Sequence, residues 1–304
     1  PMLFFPGWNT LLAGYLAGSG QLRLLSDLGN GDFEWYLLKG HVILAMFSFM
    51  LAMGGSFILN QMKDVESDQK NRKLFLIGNG YLGAKAAARE SIFLLAGGLL
   101  TAGFINVSFL LVTAFFILIS SYLYNFRPFL YKNRPFAGFT LNVLGGWLAF
   151  TLGWITVNSF TMQFIFHSLP YLFLNTCLIL LTLIPDAVGD VATGKKTICV
   201  RYGLRRTVFV GAGLYILSLA SSLWINDQLA LLINLFLLFH FFRMIRQPSG
   251  EQAVRFLKMA IFYFSLAVCL KFPLYFILMV SVYFITRYYY RERFEFDYPN
   301  FRGA

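Results

Sequence analysis

The sequence predicts an all-α protein, a polytopic bundle of membrane-spanning helices, and three observations carry that prediction. Of 304 residues, 58% are hydrophobic, 18% aromatic and only 13% charged, with a mean hydropathy of +0.65, which is outside the range of soluble domains. Apolar stretches of about 20 residues recur between short polar gaps, the length a helix needs to cross roughly 30 Å of hydrocarbon. The alternating segments of about ten residues that a membrane β-barrel requires are not seen.

Taken in order, spanning helices are predicted over residues 3–18, 41–62, 84–104, 107–125, 137–157, 163–185, 206–224 and 228–246. The first gap, from 19 to 40, is turn-rich, with Gly-Ser-Gly and then Asp27-Leu-Gly-Asn-Gly-Asp32, residue types that break helices. The last apolar stretch, 256–290, is too long for one span and is interrupted by Lys271-Phe-Pro273. It is either one kinked helix or two helices meeting at a tight turn. The expected count is nine core transmembrane helices plus a tenth returning segment. The third basic gap (Asp190 to Gly203) repeats the pattern of the first (Asp68 to Gly80): an acidic helix end, a Lys/Arg-rich loop and a glycine before the next helix. Two four-helix halves, about 1–130 and 131–250, follow from that repeat.

The net charge of +11 does not point to nucleic acid, because the basic residues sit in alternate gaps between spans. Lys63, Lys70, Arg72, Lys73, Lys85 and Arg89 follow the second span, Arg127, Lys132 and Arg134 the fourth, Lys195, Lys196, Arg201, Arg205 and Arg206 the sixth, and Arg243, Arg246, Arg255 and Lys258 the eighth. The gaps around Asn106, Asn158 and Asp227 hold no Lys or Arg. The positive-inside rule then makes the even gaps cytoplasmic, in what is expected to be the cytoplasmic membrane. Cys177, Cys199 and Cys269 are scattered, as are His41, His167 and His240, and neither set has the spacing of a metal site or a disulfide framework.

Polar chemistry concentrates in two runs. Asn60, Asp64 and Asp68 follow the second span at i, i+4 and i+8. On a continuing helix they stack along one face about 12 Å long. Alone they read equally as a solvated helix end or as a site. Asp186 and Asp190 end the sixth span with the same spacing, and the topology brings both runs to one side of the membrane. Acids at a membrane boundary are costly unless paired or metal-bound. Two facing acidic walls suit hard cations such as Mg2+, which in turn can clamp a diphosphate. The basic residues of the same gaps supply counter-charge for phosphate oxygens.

These runs carry a resemblance. Asn60-x3-Asp64-x3-Asp68 with Asn71, then Tyr124-Asn-Phe-Arg-Pro128-Phe-Leu-Tyr-Lys132, then Asp186-x3-Asp190-x3-Gly194-Lys-Lys-Thr197 with Gly203, together resemble the UbiA superfamily of intramembrane prenyltransferases over roughly residues 1–270. The resemblance implies a bundle of nine transmembrane helices, here residues 1–272, with 273–304 as an extra helix and basic tail. It implies Asn60, Asp64, Asp68, Asp186 and Asp190 as ligands for Mg2+ and an isoprenyl diphosphate. It places Tyr124 and Lys132 beside the diphosphate, with Lys132 acting with the four aspartates in catalysis, and Arg72, Arg127 and Lys196 as further basic contacts. The stretch Arg72-Lys-Leu-Phe-Leu-Ile-Gly78-Asn-Gly80 departs from the Arg-Pro-Ile-Pro-x-Gly run of many members, so the loop over the site differs.

The implied reaction moves a polyprenyl group, geranylgeranyl or longer, from its diphosphate to a lipid-soluble or anionic acceptor at the cytoplasmic side of the bilayer. Quinone-ring precursors, tetrapyrroles, haem and glycerol-phosphate lipids all serve the superfamily; a quinone-ring or glycerophospholipid precursor leads here. Asp68 and Asp190 are candidates for a base. The competing class is a polytopic transporter of a phosphorylated or cationic solute, which would place polar residues at helix breaks in mid-membrane. The polar runs lie at helix ends instead.

Overall fold

The computed structural model describes residues 4–23, 37–70, 76–295 and 298. Among them, in chain order, run helices α1 (Phe4–Gly18), α2 (Gly40–Lys70), α3 (Ala84–Gly103), α4 (Val107–Ile117), α5 (Pro135–Ile155) and α6 (Met162–Ala192). The short α7 (Ile198–Tyr202), α8 (Leu204–Ile225), α9 (Gln228–Arg246), α10 (Gly250–Lys271) and α11 (Pro273–Phe294) follow. No strand occurs among these residues. Helices α2, α5, α6, α8, α9 and α10 are each long and apolar enough to cross a membrane.

Helix starts follow local chemistry. Asn106, Asp227 and Ser249 accept the backbone N–H groups of Phe109, Ala230 and Gln252 at the heads of α4, α9 and α10, and Pro135 and Pro273 open α5 and α11, where a missing N–H costs nothing. The last apolar stretch therefore resolves into two helices. Phe272 leaves the helical region between them, at φ −123° and ψ 80°, since a following proline disfavours the α conformation. Pro185 does not end α6, which continues to Ala192 and so carries Asp186 and Asp190 on regular helix.

Helix α1 is buried almost all round, the mark of a central helix. It lies along α5 so closely that a Cβ at Gly14 would run into the Phe150 carbonyl, and one at Gly153 into that of Leu11. Small residues are what allow helix backbones this close in a membrane. The α2–α3 hairpin is stitched by Ser48 donating to the Gly98 carbonyl and Ser91 to that of Gly55, both at 2.8 Å. Across α6, α8 and α9, Ser218 donates to Pro170 O at 2.8 Å, and Asn234 Nδ2 donates to Ser218 at 3.0 Å.

Helix α11 rests on α10 and buries only Tyr275 and Thr286. Its start is anchored: the Tyr275 hydroxyl donates to Asn9 Oδ1 at 2.8 Å, and Asn9 Nδ2 donates to Ser265 at 2.8 Å. At its far end the Phe294 ring meets Tyr81, 4.9 Å between centroids. The chain order alternates direction, so α2, α4 and α6 run parallel and bring their C-terminal ends to the same end of the bundle. The Lys/Arg-rich segments leave from that end.

Candidate active site

The site grows from the C-terminal turns of α2. Asn60, Asp64 and Asp68 share a face of this helix, with Asp64 8% exposed. Asn60 Oδ1 is buried with no hydrogen-bond partner. One turn before Asn60, Ser56 Oγ lies 2.7 Å from Ser121 Oγ and accepts from Ser120 at 3.1 Å. Those serines belong to the wide π-helical turn Leu118–Leu123 that finishes α4, a distortion common at functional sites. Asn125 Nδ2 caps carbonyls of that turn, Ser120 O at 3.1 Å and Ser121 O at 3.2 Å. The wide turn is thus fixed to α2, and Tyr124 emerges beside the acids.

Tyr124 joins the two acidic runs. Its hydroxyl is pushed up to about 12, mainly by burial and further by the Asp64, Asp190 and Asp186 carboxylates around it, against the hydrogen bond from Asn142. Asn142 Nδ2 donates to Tyr124 Oη at 3.3 Å. With Asn142 as donor, the tyrosine oxygen accepts there, and its own proton is available elsewhere.

Two lysines close the arrangement. Lys132 stands on the short 3-10 turn Tyr131–Asn133, and its Nζ reaches Asp64 Oδ1 at 2.8 Å with only 6% of the side chain exposed. Burial lowers its pKa, while Asp64 and, more weakly, Asp68 raise it. Lys195 follows α6. Gly194, at φ +71, a conformation glycine adopts without strain, turns the chain so that Lys195 N–H bonds the Asp190 carbonyl at 2.8 Å. The Lys195 Nζ then crosses to the same oxygen, Asp64 Oδ1, at 2.7 Å. The end of α6 is thereby tied to the end of α2, with Asp190 buried and Asp186 half-buried.

This assembly gathers Asn60, Asp64, Asp68, Tyr124, Lys132, Asp186 and Asp190 at one end of the bundle. Arg127 and Lys196 are exposed, and Arg72 lies outside the described residues. The chain matches the model of the UbiA prenyltransferase family over residues 28–266. It belongs to that family. All three polar runs of the site fall inside the matched region, as do the six apolar helices in whole or nearly so, and this UbiA member is an integral multi-pass membrane prenyltransferase. Helix α11 lies beyond the match.

Two curated relatives, both digeranylgeranylglyceryl phosphate synthases, are similar to it. The one from Thermococcus kodakarensis is 27% identical over 216 residues, 70% of this chain and 73% of its own length. The one from Sulfurisphaera tokodaii is 24% identical over 194 residues, 62% and 67%. Among solved structures, a UbiA homolog from Archaeoglobus fulgidus bound to GPP and Mg2+ has the same fold, with a TM-score of 0.65 at 21% identity over 88% of this chain and 98% of that one.

Two features of the site escaped sequence reasoning. Of the neighbours Lys195 and Lys196, the fold delivers Lys195 to Asp64; the signal was the glycine before it, whose turn decides which lysine comes back. Asn142 lies a full helix segment from any acidic run, and no spacing links it to Tyr124.

Proposed function

We propose that this protein transfers a geranylgeranyl group from its diphosphate to a glyceryl phosphate acceptor already bearing one prenyl chain, at the cytoplasmic face of the membrane and with Mg2+. The observation that carries the reading is the convergence of two acidic runs, Tyr124 and two lysines at one end of an apolar bundle. The names of the two curated relatives support the acceptor, and the GPP and Mg2+ of the Archaeoglobus homolog support the donor and the ion.

The residues present suit such an ion. Asn60 Oδ1 is a buried oxygen without a donor, and Asp64, Asp68, Asp186 and Asp190 add carboxylate oxygens, the hard ligands Mg2+ prefers. Asn60, Asp64, Asp68, Asp186 and Asp190 would hold the ion together with the diphosphate. When bound, Mg2+ supplies charge neutralisation to the diphosphate.

The chain's own groups do the rest. The allylic C–O bond breaks with its electron pair leaving on the diphosphate, whose growing negative charge is met by Lys132, Lys195 and the Tyr124 hydroxyl. Tyr124 remains protonated at neutral pH, so it serves as a donor to an anionic oxygen and not as a base. The acceptor hydroxyl oxygen then forms the new C–O bond, and its proton passes to an oxygen of the departed diphosphate. The apolar helices house the prenyl tail and keep water from the allylic carbon. Exposed Lys63, Arg127, Arg134, Lys196 and Arg201 around the site favour an acceptor that is itself a phosphate.

The test is a turnover assay of the purified protein with Mg2+, labelled geranylgeranyl diphosphate and, in parallel, geranylgeranylglyceryl phosphate or an aromatic quinone precursor. Label should move to the glyceryl phosphate. Transfer to the aromatic ring alone would overturn the acceptor assignment.

A further inference from the structure

Lys132 Nζ and Lys195 Nζ do not divide the Asp64 carboxylate between them; both bond Oδ1, at 2.8 and 2.7 Å. A carboxylate oxygen offers two lone-pair positions, and here both are taken by ammonium groups. Two ammonium groups carry the charge of one divalent cation. A cation approaching this oxygen must therefore displace two lysines. Those lysines, 6% and 18% exposed, cannot be left unpaired, because a buried charge that loses its partner is strongly penalised. A diphosphate offers them new anionic oxygens at the same site. Both lysines stand on turns beside helix ends, Lys132 on Tyr131–Asn133 and Lys195 after Gly194. Each has a flexible four-carbon stem that can redirect a point charge.

Resting on the function proposed above, we infer that Lys132 and Lys195 hold Asp64 Oδ1 in place of a divalent cation, and that diphosphate frees this oxygen by drawing both ammonium groups onto its own oxygens. Cation and diphosphate then bind as a pair, each strengthening the other by the same factor, as linkage requires. Lys195 is on this account both a diphosphate contact and a guard on the metal ligand. The guard weakens the hold of Asp64 on a cation when no substrate is present, by occupying Oδ1.

The experiment measures Mn2+ binding to the full chain in detergent by electron paramagnetic resonance, alone and with the unreactive donor geranyl thiolodiphosphate. For the wild type, Mn2+ alone should bind weakly, and the thiolodiphosphate should tighten it within the roughly 5- to 150-fold range of coupled sites. Lys195→Met should bind Mn2+ alone more tightly than wild type, by about tenfold, and lose most of the enhancement by thiolodiphosphate, since one guard and one phosphate contact go together. Lys195→Arg should keep Mn2+ alone weak. A thermal unfolding curve of each variant shows that it is folded. Unchanged or weaker binding of Mn2+ alone by folded Lys195→Met, with normal joint binding by the wild type, overturns this inference and leaves the proposed function standing. Failure of the wild type to bind Mn2+ and thiolodiphosphate together overturns both.

Discussion

Two buried aspartates, one at each end of the bundle, solve the same problem in opposite ways. Asp64 is 8% exposed and Asp227 is fully buried. Asp64 is answered by two full charges, Lys132 and Lys195. Asp227 is answered by dipoles: it accepts the Ala230 N–H at 2.9 Å, capping α9, and the Tyr171 hydroxyl at 3.2 Å. Burial pushes its carboxyl up to about 7, against those hydrogen bonds. The difference teaches what each end is for. On the proposed function, the charge partners of Asp64 are exchanged for a ligand, whereas the helix cap and tyrosine hydroxyl at Asp227 hold the fold together.

The comparison breaks most readily at Asp64. Replacing it with alanine should reduce turnover by about 10²–10³-fold or more in the molecules that remain folded, the scale of losing a preorganised electrostatic group. A variant that retained near-normal rates would place the chemistry elsewhere.

The far end should respond to packing instead. Leucine at Gly153 has no room beside the Leu11 carbonyl, and overfilling a packed contact costs about 1–3 kcal/mol. Thermal unfolding in detergent should shift down, with little change in thiolodiphosphate affinity in the molecules that remain folded. A normal melting point would mean that α1 and α5 are not in this contact.

A smaller effect sharpens the site end. Asn142→Ala removes the hydrogen bond to Tyr124, worth about 1 kcal/mol, and should lower kcat/KM by roughly fivefold. In a Tyr124→Phe background the same substitution should do nearly nothing. Additive losses in the double variant would show that Asn142 acts independently of the tyrosine.

The last predicted effect is a slope. The unfolded chain ionises Asp227 near 4, while the folded chain holds the proton until about pH 7. Between those values the folded state binds more protons, so stability contributed by this group is full below about pH 4 and falls as pH rises to about 7. Asn keeps an acceptor for Ala230 and cannot ionise. Melting temperatures of Asp227→Asn should therefore decline less than wild type across this window, with turnover unchanged; parallel curves would remove Asp227 from the account.

Much of this was legible in the sequence because a membrane imposes it. Hydrophobic length marked the helices, and the basic gaps marked the end where polar chemistry gathers. Positions i, i+4 and i+8 kept Asn60, Asp64 and Asp68 on one face because α2 continues unbroken to Lys70. The exact pairings were less visible. The predicted sixth span stops at residue 185, yet α6 continues to Ala192. Lys271-Phe-Pro273 left open one bent helix or two, and the non-helical backbone of Phe272 separates two. Lys195 prevailed over Lys196 through the backbone turn at Gly194. Asn142 and Ser56 meet their partners only through helix packing, which has no sequence period.

The most direct test of the central claim is to follow diphosphate release and labelled product in one reaction of purified protein, Mg2+, geranylgeranyl diphosphate and geranylgeranylglyceryl phosphate, for wild type, Asp64→Ala and Asp186→Ala. The account predicts one diphosphate released for each product formed by the wild type, loss of both on chelating the Mg2+, and loss of both in either variant. Diphosphate release and product formation that survive in both variants would contradict it.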